Sequence, residues 1–113
     1  MILIGVLLAA TLVGLAAFWK ALITWLKRVI EQVGKMIGAV VEGVKTFIVR
    51  LSDGIKNVAK SYSKNKVNGA WEETISRKSV AERDIPPELI ARVNAKLGKE
   101  VDTTEELLAE LKN

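Results

Sequence analysis

LITWLKRVIEQ VGKMIGAVVEG VKTFIVRLSDG IKNVAKSYSKN, residues 22–65, aligns in elevens, and the reading of the chain turns on that alignment. The first column is Leu22, Val33, Val44 and Ile55, and the fourth is Trp25, Met36, Phe47 and Val58. The fifth is Leu26, Ile37, Ile48 and Ala59, and the eighth is Val29, Val40, Leu51 and Tyr62. A tenth column is acidic through Glu31, Glu42 and Asp53 before it changes to Lys64. Eleven residues in three turns is about 3.67 per turn, close to the natural twist of a straight helix. The four apolar columns then fall within about 100° of one another and form one stripe. The pattern predicts a long basic amphipathic helix over residues 27–66. Its stripe of Leu22, Trp25, Leu26, Val29, Val33, Met36, Ile37, Val40, Val44, Phe47, Ile48, Leu51, Ile55 and Val58 faces lipid or sister copies.

Upstream stands MILIGVLLAATLVGLAAFW, residues 1–19, without a charged side chain. As a helix it spans about 28 Å, near the hydrocarbon thickness of a bilayer. Trp19 and Trp25 sit where amphipathic rings favour the interface, and Lys20 can reach out to water. Residues 1–26 are therefore expected to be a transmembrane helix. No basic stretch precedes Ile2, which argues against a cleaved leader. Lys20, Lys27 and Arg28 follow the span, so the N-terminus is expected outside and the C-terminus in the cytoplasm, or in a virion or assembly membrane. Gly5, Ala9, Ala10, Gly14, Ala16 and Ala17 offer small surfaces for helix packing.

Charge divides the chain further. Residues 20–66 hold ten Lys/Arg and three Asp/Glu, whereas residues 67–113 hold seven and ten. Lys20, Lys27, Arg28, Lys35, Lys45, Arg50 and Lys56 border the stripe, where they would meet anionic headgroups. Gly34, Gly38, Gly43 and Gly54 each cost about 1 kcal/mol relative to Ala in a free helix, so an external surface is expected to support this one. Over residues 22–65 the periodicity resembles the eleven-residue lipid-surface repeats of apolipoproteins and synucleins. That resemblance implies a helix lying on a bilayer.

Asn68-Gly69 reads as a turn within a linker, residues 67–84, that carries a short helix. Residues 85–113 read as a helical hairpin. Pro86-Pro87 opens its first helix, Gly98 closes it, and Thr103-x-x-Glu106 opens the second. Trp71, Leu89, Val93, Leu97, Leu107 and Leu111 are the expected packing residues of this end, against each other or a partner.

The expected fold class is all-α. The chain has no Cys and no His, which removes disulfides, thiolate chemistry and the usual base near neutral pH. Its carboxylates show no ligand spacing, so no catalytic residue, metal or cofactor is expected. The acidic second hairpin helix and the lipid-like stripe argue against nucleic acid. The expected function is non-enzymatic: a single-pass membrane protein that self-assembles as a structural part of a secretion machine, pilus or virion. Its partners are a phospholipid membrane and either copies of itself or a protein held by the C-terminal hairpin. The alternatives are a pore-forming protein (holin-like, toxin or phage ejection channel) and a small regulatory subunit of a larger membrane protein.

Overall fold

The eleven-residue alignment does not run as one helix; it breaks at Gly38. The structure is a computed structural model, and it describes residues 1–9, 12 and 14–112. The elements in chain order are β1 (Ile2–Leu3), α1 (Ile4–Ala9), α2 (Ala17–Ile37), β2 (Val41–Leu51), β3 (Gly54–Lys64), β4 (Trp71–Val80), α3 (Pro87–Ala95), β5 (Val101–Asp102) and α4 (Thr104–Lys112). A 3-10 turn at Glu82–Asp84 joins β4 to α3.

Helix α2 ends because Gly38 adopts a left-handed conformation (φ 64°, ψ 30°), which costs glycine nothing sterically. The N–H groups of Gly38 and Ala39 both donate to the Gly34 carbonyl, satisfying the last turn in the Schellman manner. The β-branched and aromatic run that follows, VVEGVKTFIV, then extends as β2. Ser52-Asp53 turn the chain back into β3, with Leu51 facing Gly54 across the hairpin; Gly54, at φ 131°, again holds a conformation that side chains disfavour. Asn65 and Asn68 shape the next turn. The Asn65 side chain accepts from the Val67 and Asn68 N–H groups, and the Asn68 side chain accepts from the Ala70 N–H.

The result is a five-stranded antiparallel sheet in the order β1-β2-β3-β4. The short strand β5 shares the outer edge of β2 with β1: β1 pairs at Gly43 and Val44, and β5 at Phe47 and Ile48. One face of the sheet meets the helices. Leu22, Ile23, Leu26, Val29, Ile30 and Val33 of α2 share a buried cluster with Val41, Val44 and Ile48 of β2 and Ile55 and Ala59 of β3. Ile2, Leu7, Ile85, Leu89, Val93, Val101 and Leu107 complete the cluster, so the C-terminal helices feed the same core. A threonine knot fixes α4. Thr46 N–H donates to Thr104 Oγ1 at 3.1 Å, Thr103 N–H donates to the Thr46 carbonyl at 2.9 Å, and the Thr46 and Thr103 hydroxyls lie 2.9 Å apart. Arg50 ties the other end of β2 to α3 through Asn94 (2.8 Å) and to the 3-10 turn through Glu82 (2.5 Å).

Several expectations are corrected here. The class is α+β, not all-α, because residues 41–64 form a hairpin rather than the second half of a helix. Among the described residues no helix is long and apolar enough to cross a membrane, which overturns the transmembrane helix over residues 1–26 and the single-pass orientation built on it. The apolar N-terminal run is divided instead between β1, α1 and the start of α2, and Ile2, Leu7, Phe18, Trp19 and Leu22 are buried against protein. Ala10, Thr11 and Val13 of the expected span, including the Ala10 packing surface, lie outside the described residues, as does Asn113 at the end of the expected hairpin. Residues 71–80 of the expected linker are a strand, not a short helix. Helices α3 and α4 are joined through β5, which docks on β2, rather than by the simple loop of a helical hairpin.

Leu26 and Met36 both belong to the expected stripe, yet Leu26 is fully buried and Met36 is 72% exposed. Leu26→Ala is expected to lower unfolding free energy by about 2–5 kcal/mol, and Met36→Ala to change it by less than about 0.5 kcal/mol. Urea denaturation followed by circular dichroism checks both. Equal losses would contradict the fold.

Candidate functional site

Strand alternation decides what the uncovered face of the sheet displays. Successive side chains point to opposite faces, and residues paired across strands share one. With Val44 and Ile48 turned to the helices, Lys45, Phe47 and Val49 point the other way, opposite Lys60, Val58 and Lys56 of β3. Strand β4 adds Glu73 opposite Tyr62, Ile75 opposite Lys60 and Arg77 opposite Val58. Asp102 of β5 stands opposite Phe47.

Two lysines lie over two aromatic rings on this face. The Lys60 ammonium sits 4.5 Å from the centre of the Phe47 ring and donates to Glu100 at 2.9 Å. The Lys45 ammonium lies 5.8 Å from the centre of the Tyr62 ring. These contacts stiffen the lysine stems across the aromatics and shield the buried Val58 beneath. Lys56 is held at the hairpin end by the Ser79 hydroxyl (2.7 Å) and Asp53 (3.4 Å). Burial pushes the Tyr62 phenol up to about 12. The Glu73 carboxylate beside its hydroxyl and the charges of Asp102 and Glu100 add to the shift. Lys60 is paired and Tyr62 is a weakened acid, so the group holds charge in place rather than moving protons near neutral pH. A shallow hollow of about 410 Å³ lined by Met1, Lys45, Tyr62 and Trp71 opens beside it.

Next to that hollow lies an apolar ledge. Met1, Leu3, Leu8, Val40 and Trp71 line a groove of about 690 Å³ together with Lys64 and Glu42. Trp71 is 58% exposed there. A separate cleft of about 520 Å³ runs between α2 and the end of β4, with Phe18, Leu22 and Trp25 on one wall and Asn57, Lys78 and Val80 on the other. The Ser61 hydroxyl, opposite Val44 on the face turned to the helices, is buried without a hydrogen-bond partner among the described residues.

The structure scatters the residues expected to form one stripe. Leu22, Leu26, Val29 and Val33 are buried on α2, while Trp25 and Ile37 are half-buried at its margins. Val44, Ile48 and Ile55 are buried under the helices; Phe47 and Val58 belong to the opposite face; Met36, Val40 and Leu51 are exposed. Of the expected basic border, Lys20, Arg28 and Lys35 are exposed on α2 and Lys27 is half-buried there. Lys45 and Lys56 are on the open face, and Arg50 is bound to Asn94 and Glu82. Of the expected C-terminal packing residues, Leu89, Val93 and Leu107 are buried, Leu111 is half-buried, and Trp71 and Leu97 are exposed. Lys60, Tyr62, Glu73, Glu100 and Asp102 were missed as a group. The period-two spacing of Lys56-x-Val58-x-Lys60-x-Tyr62 signals that Lys60 and Tyr62 share a surface, and nothing comparable marks Glu73, Glu100 or Asp102.

Among the described residues no group of three or more Asp or Glu is placed to hold a metal ion. Compared with protein families, characterised proteins and solved structures, the chain has no match.

Tyr62 is the only tyrosine, so phenolate absorbance reports one group. Its midpoint is expected near 12 in the native protein and near 10 in denaturant, with Glu73→Gln moving the native value down. Below pH 10 the phenol is protonated in both states and its contribution to stability is complete. Between 10 and 12 the unfolded chain ionises first, so stability falls as pH rises through that window. A native midpoint at the unfolded value would contradict the site.

Proposed function

We propose that this protein is a non-enzymatic assembly protein that joins copies of itself through the outer edge of its sheet. One observation carries the reading: β4 is ten residues long, contains neither proline nor bulge, and has no strand on its far side among the described residues. An uncovered edge of that length is a template for another strand; folds that avoid pairing shorten, bend, charge or cover it, and the charges on β4 are of both signs, so a second copy can complement them. The opposite edge, on β2, is covered by β1 and β5. Trp71 and Ile75 stand exposed along the open strand. A chain without His or Cys supports a role in contact rather than in chemistry. Nucleic acid is not part of this reading, because Glu73, Glu100 and Asp102 are interleaved with the lysines of the open face. The repeat helix on which the pore reading relied is absent.

A second reading keeps a lipid partner at a different surface. The ledge of Met1, Leu3, Leu8, Val40 and Trp71 beside Lys64 suits shallow contact with an anionic phospholipid surface. Cosedimentation with anionic vesicles that is lost in Trp71→Ser supports it. No cosedimentation removes it.

Sedimentation equilibrium is expected to show reversible, concentration-dependent association of the full chain. A single monomeric species up to about 0.5 mM, beyond the range of useful assembly affinities, would exclude self-assembly.

A further inference from the structure

Backbone hydrogen bonding assigns a direction to every residue of β4. Thr46 directs both its N–H and its carbonyl away from β3, toward Thr104 and Thr103, and the Arg50 carbonyl accepts from Gly98 on that same side. Even-numbered residues of β2 therefore bond outward, and odd-numbered ones bond β3. In an antiparallel pair this alternation passes from strand to strand. Even residues of β3 bond β2, so odd residues of β3 bond β4. Their partners on β4 are even (Asn57 with Lys78, Ala59 with Ser76, Ser61 with Thr74). The free backbone groups of β4 are consequently those of Trp71, Glu73, Ile75, Arg77 and Ser79.

The charges on this strand are symmetric about its midpoint. Glu72 and Glu73 precede Ile75 by three and two residues, and Arg77 and Lys78 follow it by two and three. From this we infer that two copies pair β4 with β4, antiparallel, with Ile75 of one copy opposite Ile75 of the other. The inference rests on the self-assembly reading above and specifies its interface. In this register Glu73 meets Arg77 and Glu72 meets Lys78, each pair twice. Odd residues face odd residues, as the free N–H and carbonyl groups require. A shift of one residue is forbidden by that alternation. A shift that centres the pair on Thr74 or Ser76 is allowed by the backbone, but it sets no carboxylate opposite a cation. The sheets of the two copies then continue as one, with both helical layers on the same side and the Tyr62–Lys60 faces forming a single surface.

The carboxylates have room for the added contact. Glu72 already accepts from the Asn65 side chain at 2.9 Å, and Glu73 lies beside the Tyr62 hydroxyl. Both remain exposed, as do Arg77 and Lys78. The four charges account for the edge being open: in the wrong register, or against an unrelated strand, they meet no complement.

Single-cysteine variants of the otherwise cysteine-free full chain test the register. Paired residues here stand about 5.5 Å apart between Cα atoms, within reach of a disulfide. Under mild oxidation Ile75→Cys is expected to form a covalent dimer, whereas Thr74→Cys and Ser76→Cys, offset diagonally from themselves, are not. Charge reversal tests the complementarity. Glu73→Arg or Arg77→Glu alone sets like charges opposite each other and is expected to weaken dimerisation at least about tenfold, while the double reversal restores it. Circular dichroism of each single variant checks that it folds. Dimers that cross-link through position 74 or 76 but not 75 would overturn this register while leaving self-assembly intact. So would single reversals without effect. A protein that stays monomeric at every concentration removes both claims.

Discussion

Helix α2 carries a wide apolar stripe, and the rest of the molecule is arranged to keep water off it. Burying side chains of this kind is worth roughly 1.5–3 kcal/mol each, so the face from Phe18 to Val33 is a dominant source of stability. It cannot be satisfied by the helix itself. The β2–β3 hairpin supplies the cover, and Gly38 redirects the chain so that the residues just after the helix can fold back beneath it. The threonines around Thr46 then attach α4 to the edge of that cover, while Arg50 attaches α3. The two faces of the sheet follow from the same constraint. The face against α2 is sealed, and the other keeps its lysines and carboxylates in water.

How far this was legible in the sequence depends on the element. The apolar spacing of Leu22, Leu26, Val29 and Val33 marks one face of a helix, and those side chains are buried together. Pro86-Pro87 and Thr103-x-x-Glu106 stand where α3 and α4 begin. The spacing of residues 41–64 misleads for a physical reason. A strand that buries side chains on both faces loses its clean period of two. Val44 and Ile48 face the helices, Phe47 faces away, and together they imitate the i, i+3, i+4 spacing of a helix. In β3 the odd-numbered residues share the face of the even-numbered residues of β2, so an offset of eleven carries each residue onto one of the same face: Val44 onto Ile55, Phe47 onto Val58 and Ile48 onto Ala59.

The discriminating signals were the small ones. Ser52-Asp53-Gly54 is turn chemistry, and VVEGVKTFIV is poor in the straight-chain residues that a long exposed helix favours. Of these residues the helix reading weighs only Gly43 and Gly54, each as a cost that an external surface offsets. Thr46, Asn57, Ser61 and Ser63, buried under the helical layer, gave no apolar signal to mark that face. The open-face group around Tyr62 was hidden more deeply, because Phe47, Tyr62, Glu73 and Asp102 come together only through strand register, which no local pattern announces. The apolar N-terminus was read by its average, but Ile2 and Leu7 are committed to the core while Leu3 and Leu8 are not.

The two flanks of β2 differ in how far the chain travels to build them. Strands β2, β3 and β4 follow one another through short turns, so their pairing closes only small loops. Strand β1 reaches across from Ile2 to Val44, and β5 from Val101 back to Ile48. Long closures lose more chain entropy before any contact repays it, and they form late. The three-stranded meander is therefore the natural nucleus, with the two chain ends arriving afterwards on its far margin. The strand left bare on the finished molecule is thus among the earliest to become ordered, and during synthesis it precedes α3, β5 and α4, which close the C-terminal side of the core.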